Sequence, residues 1–284
     1  MALGVTLNVA IVVMEALAGV WAGSLALLAD AGHNAGDVVG LLLAWGASWL
    51  ARLPPTRRYT WGFRRATIYA ALANAALLLV ACGAIIWEAI HRLREPEPVT
   101  GSTVIAVAAA GAVVNTLAAL LFARGHGDAN VRAAYLHLAA DAAVSLGVVA
   151  AGIAIAFTGL DWIDPVVSLA IAAVIVVGTW GLFRESADLA LDAAPRGIDP
   201  EAITAALGGL AGVVEVHDFH VWGASTSEVS LSAHLVVNET ADRDALLAAA
   251  HDMARARFGI AHITIHIEGP ATAEACPQRP AESL

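Results

Sequence analysis

The first two thirds of the chain consist of long apolar stretches that are separated by short polar connections. Three of these stretches contain no Asp, Glu, Lys or Arg, and they cover residues 66–87, 99–123 and 165–183. Each is close to the length of about 20 residues that a helix needs to cross a bilayer. Other stretches are interrupted only by single ionisable residues. The pattern predicts six transmembrane helices, over about 2–21, 24–51, 65–92, 100–123, 130–157 and 162–190.

The pattern changes after about residue 192. Apolar and polar residues alternate in three segments, which are predicted as strands: 213–222, 228–237 and 262–268. Residues 242–258 have the spacing of an amphipathic helix, and a shorter helix is predicted near 200–207. The order α-β-β-α-β is typical of a small α+β domain of ferredoxin-like type. The sequence therefore predicts a membrane α-helical bundle over 1–191 and a ferredoxin-like domain with a C-terminal tail over 192–284.

Composition and charge agree with this division. Hydrophobic residues make up 59% of the chain and charged residues 14%, and the mean hydropathy is +0.72, well above that of a soluble domain. Of the net charge of −10, most lies in the terminal domain, where fourteen acidic residues from residue 188 onward stand against five arginines. Nucleic acid is not expected as a partner of such an acidic surface.

The connection between the second and third predicted spans is basic. It contains Arg52, Arg57, Arg58 and Arg64 and no acidic residue. Positively charged short loops are retained on the cytoplasmic side of a membrane. With an even number of spans, this places both termini in the cytoplasm, and we expect a multi-pass protein of the plasma (inner) membrane.

Two of the predicted spans carry the same pair of polar residues. His33 and Asp37 lie four residues apart in LLADAGHNAGD, and His137 and Asp141 repeat the pair in AYLHLAADAAVS. That spacing places each pair on one helix face. A charged side chain at the centre of a span costs roughly 2.5–3.5 kcal/mol, so hydrogen bonding between helices explains two matched pairs poorly. Two imidazoles and two carboxylates suit a tetrahedral Zn²⁺ site in a helix bundle.

Other polar residues in the spans have simpler interpretations. Asp30 is expected to line a cavity or to end a helix, and it is left outside the site. Asp164 precedes a proline and is predicted to cap the sixth helix. Three residues are predicted to form hydrogen bonds between helices: Asn8, Glu15 and Asn74.

Five motifs carry a resemblance to a known family: AGSLALLADAGHNAGD, TWGFRRATIYAALANA, NVRAAYLHLAADAAVS, DPVVSLAI and VHDFHVW. Through them the chain resembles the cation diffusion facilitator family of zinc exporters over nearly its whole length. The resemblance implies a homodimer with six transmembrane helices and a cytoplasmic ferredoxin-like domain per protomer. It implies metal export coupled to inward proton movement. It assigns His33, Asp37, His137 and Asp141 to the transport site, and the first histidine resembles the zinc-preferring branch.

Two loops depart from the family pattern. Some members bind a further metal between spans two and three, but residues 52–65 contain no His, Asp or Glu, so that site is absent. Many members also have a His-rich loop between spans four and five. Here it is short, and only His126 and Asp128 remain as weak ligands on the way to the site, or as a solvated turn.

The terminal domain contains six of the ten histidines. Strand alternation in HITIHIE places His262, His266 and Glu268 on one face. The resemblance matches five residues to a regulatory metal site and adds a tail cysteine: His217, His234, His251, His266, Glu268 and Cys276. The alternative is a solvated, His-rich sheet face. His220 and His262 are not assigned.

The charges of the transport site suggest a mechanism. Two carboxylates in an apolar medium favour protonation, whereas bound Zn²⁺ favours their ionised form, so metal and protons compete. The sequence thus predicts a zinc/proton antiporter that works by alternating access, with Zn²⁺ also as a regulatory ligand, the lipid bilayer as its medium and a second copy as its partner. No ATP-binding G-x-x-x-x-G-K-[ST] and no H-E-x-x-H motif occurs. The alternatives are an intramembrane metalloenzyme and a metal sensor.

Overall fold

The computed structural model describes residues 2–123, 129–277 and 279. All six segments predicted as long helices are helical, and their bounds are α1 Ala2–Ala22, α2 Leu25–Ala51, α3 Ala66–Arg94, α4 Gly101–Phe122, α5 Ala129–Thr158 and α6 Ile163–Ala190. The two candidate loop ligands His126 and Asp128 lie outside the described residues.

Several of these helices have the length and composition of membrane spans. Among the described residues, four helical segments meet both criteria: Ala66–Arg94, Gly101–Leu121, Tyr135–Thr158 and Ile163–Ala190. α1 contributes the shorter apolar segment Asn8–Ala22, and α2 carries its polar pair in mid-helix. Large apolar side chains such as Trp21, Leu121 and Phe157 are more than 80% exposed, as expected of surfaces that face lipid.

The chain forms two compact units. The first combines Met1–Leu43 with Ala73–Leu182, and the second combines Ala44–Leu72 with Phe183–Leu284. In the first unit, small residues allow close packing of α4 on α5: a Cβ atom on Gly101 would lie 2.8 Å from the carbonyl oxygen of Gly152. Small residues are the usual means of close helix packing in membranes.

The second unit contains the predicted α-β-β-α-β order. Its elements are α7 Pro200–Gly208, β1 Val213–Gly223, β2 Val229–Val237, α8 Arg243–Phe258, β3 His262–Glu268 and the short α9 Pro270–Glu274. The described strands form one sheet in the order β1-β2-β3, in which β1 and β2 are antiparallel and β2 and β3 are parallel. α8 is the crossover that a parallel pair requires. Ile203, Leu207, Leu235 and Leu246 are buried in the core between helices and sheet.

The register of the sheet aligns three histidines. His217 on β1 lies opposite His234 on β2, which in turn lies opposite His266 on β3. Immediately after His217 the β1–β2 register shifts, and Asp218 adopts a φ of 47°. Such a bulge re-aims the side chains around it. The sheet therefore presents a row of imidazoles on one face, next to an irregularity in its edge strand.

The basic connection belongs to the second unit and contacts acidic residues of the terminal domain. Arg64 Nη1 lies 2.5 Å from Glu228 Oε2, and Arg65 pairs with Asp192. The backbone N–H of Thr226 donates to Thr67 Oγ1. These arginines are thus paired with carboxylates of the segment that follows α6.

Candidate metal centres

The first centre brings together the two His–Asp pairs of α2 and α5. His33 Nε2 lies 3.1 Å from Asp141 Oδ1, and His137 Nε2 lies 3.1 Å from Asp37 Oδ2. Within each helix the imidazole and carboxylate are farther apart, at 3.9 and 3.7 Å. The first residue of each pair therefore faces the second residue of the other, as expected of neighbouring helices that run in opposite directions.

The environment of these four side chains is asymmetric. Asp141 is 6% exposed, His33 20% and Asp37 25%, whereas His137 is 51% exposed. Each of His33, Asp37 and Asp141 offers one ligand atom, and these three atoms lie within 4.8 Å of one another. Two ionised carboxylates and two neutral imidazoles carry a charge of −2, which a divalent cation neutralises. The arrangement can therefore hold one such ion and leave the lipid-embedded site without net charge.

Two neighbouring carboxyl groups are fully buried. Glu15 on α1 accepts a hydrogen bond from Asn34 Nδ2 at 3.1 Å, which confirms its prediction as a group that bonds between helices. Asp30 accepts one from Ser145 Oγ at 2.9 Å. Asp30 has no exposed surface and lies inside α2, so its expected place at a cavity or a helix end is wrong. The side-chain oxygen of Asn74 is buried without a hydrogen-bond partner among the described residues.

Asp164 caps a different helix from the one predicted. Its carboxylate accepts hydrogen bonds from Ser24 Oγ at 2.5 Å and from the backbone N–H groups of Leu25 and Ala26 at 2.6 and 3.4 Å. The first N–H groups of a helix lack partners within it and favour a negative charge. Asp164 lies in the first turn of α6, but its carboxylate accepts hydrogen bonds from the first backbone N–H groups of α2. Sequence reasoning assigned it to its own helix because only the fold brings the beginning of α2 beside it.

The second centre is built on the row of histidines in the sheet. Glu268 Oε1 lies 2.6 Å from His234 Nδ1, 3.4 Å from His266 Nδ1 and 3.7 Å from His217 Nε2. Cys276 Sγ lies 3.8 Å from His234 Nδ1. One ligand atom from each of four residues lies within 4.8 Å of the others: His217, His234, Glu268 and Cys276.

Burial argues against a solvated sheet face at this position. His217 is 6% exposed and the Glu268 side chain 1%. Both ring nitrogens of His217 and both carboxylate oxygens of Glu268 are buried, and none of them has a hydrogen bond of good geometry to the described part of the chain. Buried polar atoms in native proteins normally have hydrogen-bond partners, and a bound metal ion is one explanation for those that do not. The donor set of nitrogen, oxygen and sulfur atoms fits Zn²⁺. His266, at 59% exposed, lies at the rim.

The structure does not bring His251 into this cluster. Ala250 and Ala254 are the positions of α8 that are fully buried against the core. Because successive residues of a helix point about 100° apart, His251 is directed away from that face.

Sequence reasoning missed Asp218 as a neighbour of the cluster. Asp218 Oδ2 lies 3.4 Å from His234 Nε2, and its Oδ1 lies 3.1 Å from His220 Nε2. Strand alternation alone would direct Asp218 to the opposite face from His217. The bulge instead brings the Asp218 carboxylate beside His234. In the sequence, the only indication of this was the position of an aspartate between His217 and His220.

An ion pair anchors the tail that carries Cys276. The Arg279 guanidinium contacts both carboxylate oxygens of Glu215, at 3.1 and 2.7 Å. This contact with Arg279 lowers the pKa of the Glu215 carboxyl on β1. The backbone N–H of Arg279 also donates to the backbone carbonyl oxygen of Cys276 at 3.2 Å. The pair thus fixes the end of the described chain against β1, beside the metal centre.

Comparison with known proteins covers both units. The cation efflux transmembrane domain matches residues 1–189, and the cytoplasmic domain of cation efflux proteins matches residues 195–270. The zinc transporter ZitB of Escherichia coli is 37% identical over 270 residues, which are 94% of this chain and 85% of ZitB. A cadmium, cobalt and zinc/H⁺-K⁺ antiporter of Bacillus subtilis is 33% identical over 91% of this chain and 85% of its own length.

A solved structure also resembles part of the chain. The metal-bound C-terminal domain of the CzcD transporter from Cupriavidus metallidurans is 25% identical, with a TM-score of 0.24 and coverage of 25% of this chain and 99% of that domain. The two family domains and the full-length relatives account for nearly all residues, and these relatives are transporters rather than enzymes. The chain belongs to the cation diffusion facilitator family, which is also called the cation efflux family.

Proposed function

We propose that this protein exports zinc from the cytoplasm in exchange for protons. The observation that carries the proposal is the crossed contact of two His–Asp pairs, in which His33 and His137 each lie 3.1 Å from the carboxylate of the other helix. Zn²⁺ is the cargo that suits two imidazoles and two carboxylates. The names of the relatives add support, since ZitB is a zinc transporter and the Bacillus protein exchanges metal for protons.

Exchange follows from competition for the four side chains. Zn²⁺ binds the ionised carboxylates Asp37 and Asp141 and the neutral imidazoles His33 and His137. Protons bind the same groups, so either the metal or the protons occupy the site. If the site opens to each side of the membrane in turn, outside protons release zinc there and leave inside when zinc binds again. This is alternating access around a fixed site in the span.

The proposed architecture has six spans, α1 to α6, in the plasma (inner) membrane and both termini in the cytoplasm. The transport domain covers 1–191, and the ferredoxin-like cytoplasmic domain with its tail covers 192–284. The arginines of the α2–α3 connection support this orientation. Their pairing with Glu228 and Asp192 supports a location of the connection and the terminal domain on the same side of the membrane.

We further propose that the terminal centre binds regulatory zinc in a homodimer. The ligands are His217, His234, Glu268 and Cys276, with His266 at the rim. The buried nitrogens of His217 and the buried oxygens of Glu268, which have no hydrogen-bond partner among the described residues, support a resident ion. His251, which lies outside the cluster, is not included.

Zinc flux in proteoliposomes with an imposed pH gradient tests the proposed activity. Purified protein is reconstituted, and zinc accumulation is followed with an indicator inside the vesicles at equal pH and with the lumen acidic. We expect uptake that rises with the gradient and collapses when a protonophore removes it. A metal sensor would bind zinc without flux, and flux that ignores the pH gradient would contradict proton exchange.

A further inference from the structure

Besides Asp164, which caps the start of α2, two fully buried carboxyl groups of the first unit have no part in the zinc site. Glu15 on α1 and Asp30 on α2 both have 0% exposed surface. Carboxylates within a membrane are costly, and they commonly mark ion paths or proton relays. The exchange described above uses neither group, so the reason for their burial has to be found in their surroundings.

Each of these carboxyls has one satisfied and one free oxygen. Glu15 Oε2 accepts from Asn34 and Asp30 Oδ2 accepts from Ser145, at 3.1 and 2.9 Å. Glu15 Oε1 and Asp30 Oδ1 are buried without a hydrogen-bond partner among the described residues. The chain contains no lysine, and none of the ion pairs between described residues joins an arginine to either group. A free oxygen without a cation suits a bound proton, which neutralises the carboxyl and adds a donor.

A glycine leaves space at the free oxygen of Glu15. A Cβ atom on Gly111 of α4 would lie only 2.5 Å from Glu15 Oε1 and 3.6 Å from Ser145 Oγ. The carboxyl of Glu15 and the hydroxyl of Ser145 therefore border the same small space. Ser145 donates to Asp30 but makes no hydrogen bond to the free oxygen of Glu15. A small movement of the Glu15 side chain is therefore needed before its proton can pass to the Ser145 hydroxyl, which both accepts and donates. Asp30 lies one helical turn before His33, so the row of Glu15, Ser145 and Asp30 ends beside the zinc site.

We propose that Glu15 is a proton-binding group, separate from the four zinc ligands, whose proton is exchanged in each transport cycle. The proposal rests on the antiport proposed above and assigns part of its proton transfer to another residue. Among the described residues, Asp30 is the carboxyl whose charge acts on Glu15, and the charges of His33 and Asp141 act on Asp30 in turn. Asn34 and Gly111 are uncharged neighbours of Glu15.

With zinc absent, Glu15 holds a proton and is neutral. Zinc that binds from the cytoplasm brings two positive charges, which favour negative charge nearby in a medium of low dielectric constant. The O–H bond of Glu15 then breaks, its electron pair stays on the carboxylate, and the proton passes by Ser145 and Asp30 to cytoplasmic water. When zinc leaves on the other side, a proton from that side binds Glu15. No group is oxidised or reduced.

Proton release on zinc binding tests this assignment directly. Zinc is titrated calorimetrically into the detergent-solubilised full chain, in buffers of different ionisation enthalpy, so that the number of protons released per zinc is obtained. His234→Ala with Cys276→Ala removes the terminal centre from both samples. Glu15→Gln keeps the size of the side chain and can still accept from Asn34. We expect it to bind zinc within about threefold of its parent affinity and to release about one proton fewer per zinc.

Glu88→Gln is the matched control, because it makes the same chemical change at the partly exposed end of α3, where Glu88 pairs with Arg92. It should leave the proton number unchanged. An equal proton number in Glu15→Gln and its parent would overturn the proposal. Loss of zinc binding in Glu15→Gln would also overturn it, since Glu15 would then shape the ligands rather than carry a separate proton.

A second variant examines the connection through Ser145. Ser145→Ala should slow zinc flux driven by a pH gradient and leave zinc-for-zinc exchange at equal pH intact. An equal loss of both fluxes would contradict the connection. The flux of the parent protein separates the proposal of proton exchange from the proposal about Glu15. If the zinc flux of the parent does not depend on the pH gradient, the proposal of proton exchange is wrong. If the parent is coupled to the gradient and Glu15→Gln is coupled to the same extent, only the role of Glu15 fails.

Discussion

At the scale of single residues, the transport site depends on charge balance between four side chains and one divalent ion. Asp141 is almost fully buried, and Asp37 lies 3.1 Å from the imidazole of the facing helix. Removal of either carboxylate takes away one ligand and half of the negative charge that offsets the ion. Each histidine would also lose its partner across the helix interface. The two carboxylates are therefore expected to be individually indispensable.

The first prediction concerns Asp37→Ala and Asp141→Ala. Each should reduce zinc flux in proteoliposomes to the level of empty vesicles, and zinc affinity should fall by about 100-fold or more, since even groups outside the ligand shell change metal affinity by about 10- to 100-fold. Glu88→Ala serves as the control, because its ion pair with Arg92 on α3 contributes only about 0.3–0.5 kcal/mol. Size-exclusion chromatography verifies that the variants remain folded. Flux at the parent rate in either variant would refute the site.

The second prediction concerns metal selectivity. His33→Asp replaces one directional nitrogen by a carboxylate that binds through one or two oxygens. The site gains negative charge and tolerance of coordination number, so a larger ion such as Cd²⁺ should fit better. Oxygen is a harder ligand than imidazole nitrogen, which argues the other way. We expect geometry to dominate, because the backbones of α2 and α5 limit how far the crossed pairs can move apart.

The measurement compares zinc and cadmium flux in the same vesicles. His33→Asp should keep zinc transport and raise cadmium flux relative to zinc several-fold. His137→Asp is the matched variant on α5, where the imidazole is 51% exposed and less confined. An unchanged cadmium-to-zinc ratio in His33→Asp would mean that selectivity is determined elsewhere.

At the scale of elements, the sequence predicted local order well and long-range partners poorly. The spacing of His33 and Asp37 defines one face of α2 whatever the fold, and the alternation in HITIHIE defines β3 in the same way. Asp164 was assigned to the wrong helix because its donors at Leu25 are distant in the sequence. Asp218 was missed because a bulge cancels strand alternation.

The third prediction concerns the anchor of the C-terminal tail. Arg279→Ala removes the bidentate contact with Glu215 and should release the segment that carries Cys276 from β1. The thiolate would then be held less firmly, and we expect zinc affinity of the terminal centre to fall by about three- to tenfold. Arg255→Ala, at an exposed position of α8, removes the same charge and should leave affinity unchanged. An equal affinity of Arg279→Ala and its parent, measured by competition with a zinc chelator, would show that the tail needs no anchor.

At the scale of the whole molecule, the acidic terminal domain links metal binding to assembly. From residue 188 onward the chain has fourteen acidic residues and only five arginines. In the proposed dimer two such domains repel each other, over distances limited to about 8–10 Å by physiological salt. The terminal centre includes one of these carboxylates, Glu268, together with the thiol of Cys276. Zinc bound there brings positive charge to each domain and should weaken the repulsion.

The last prediction is that zinc draws the two terminal domains of the dimer together. Spin labels are attached through an unnatural amino acid at Asp244, an exposed position of α8, because thiol labels would react with the ligand Cys276. Distances between the two labels should shorten when zinc is added, and the change should be complete when the terminal centre is saturated with zinc.

His234→Ala removes the histidine that lies between the two others in the sheet and contacts Glu268 at 2.6 Å, so it should abolish the change. Asp37→Ala disables only the transport site and should retain it. Because screening shortens the reach of repulsion, high salt should reduce the distance in the zinc-free protein and so reduce the effect of zinc. An equal shortening in His234→Ala, or none at saturating zinc in the parent, would show that the terminal centre does not control the separation of the domains.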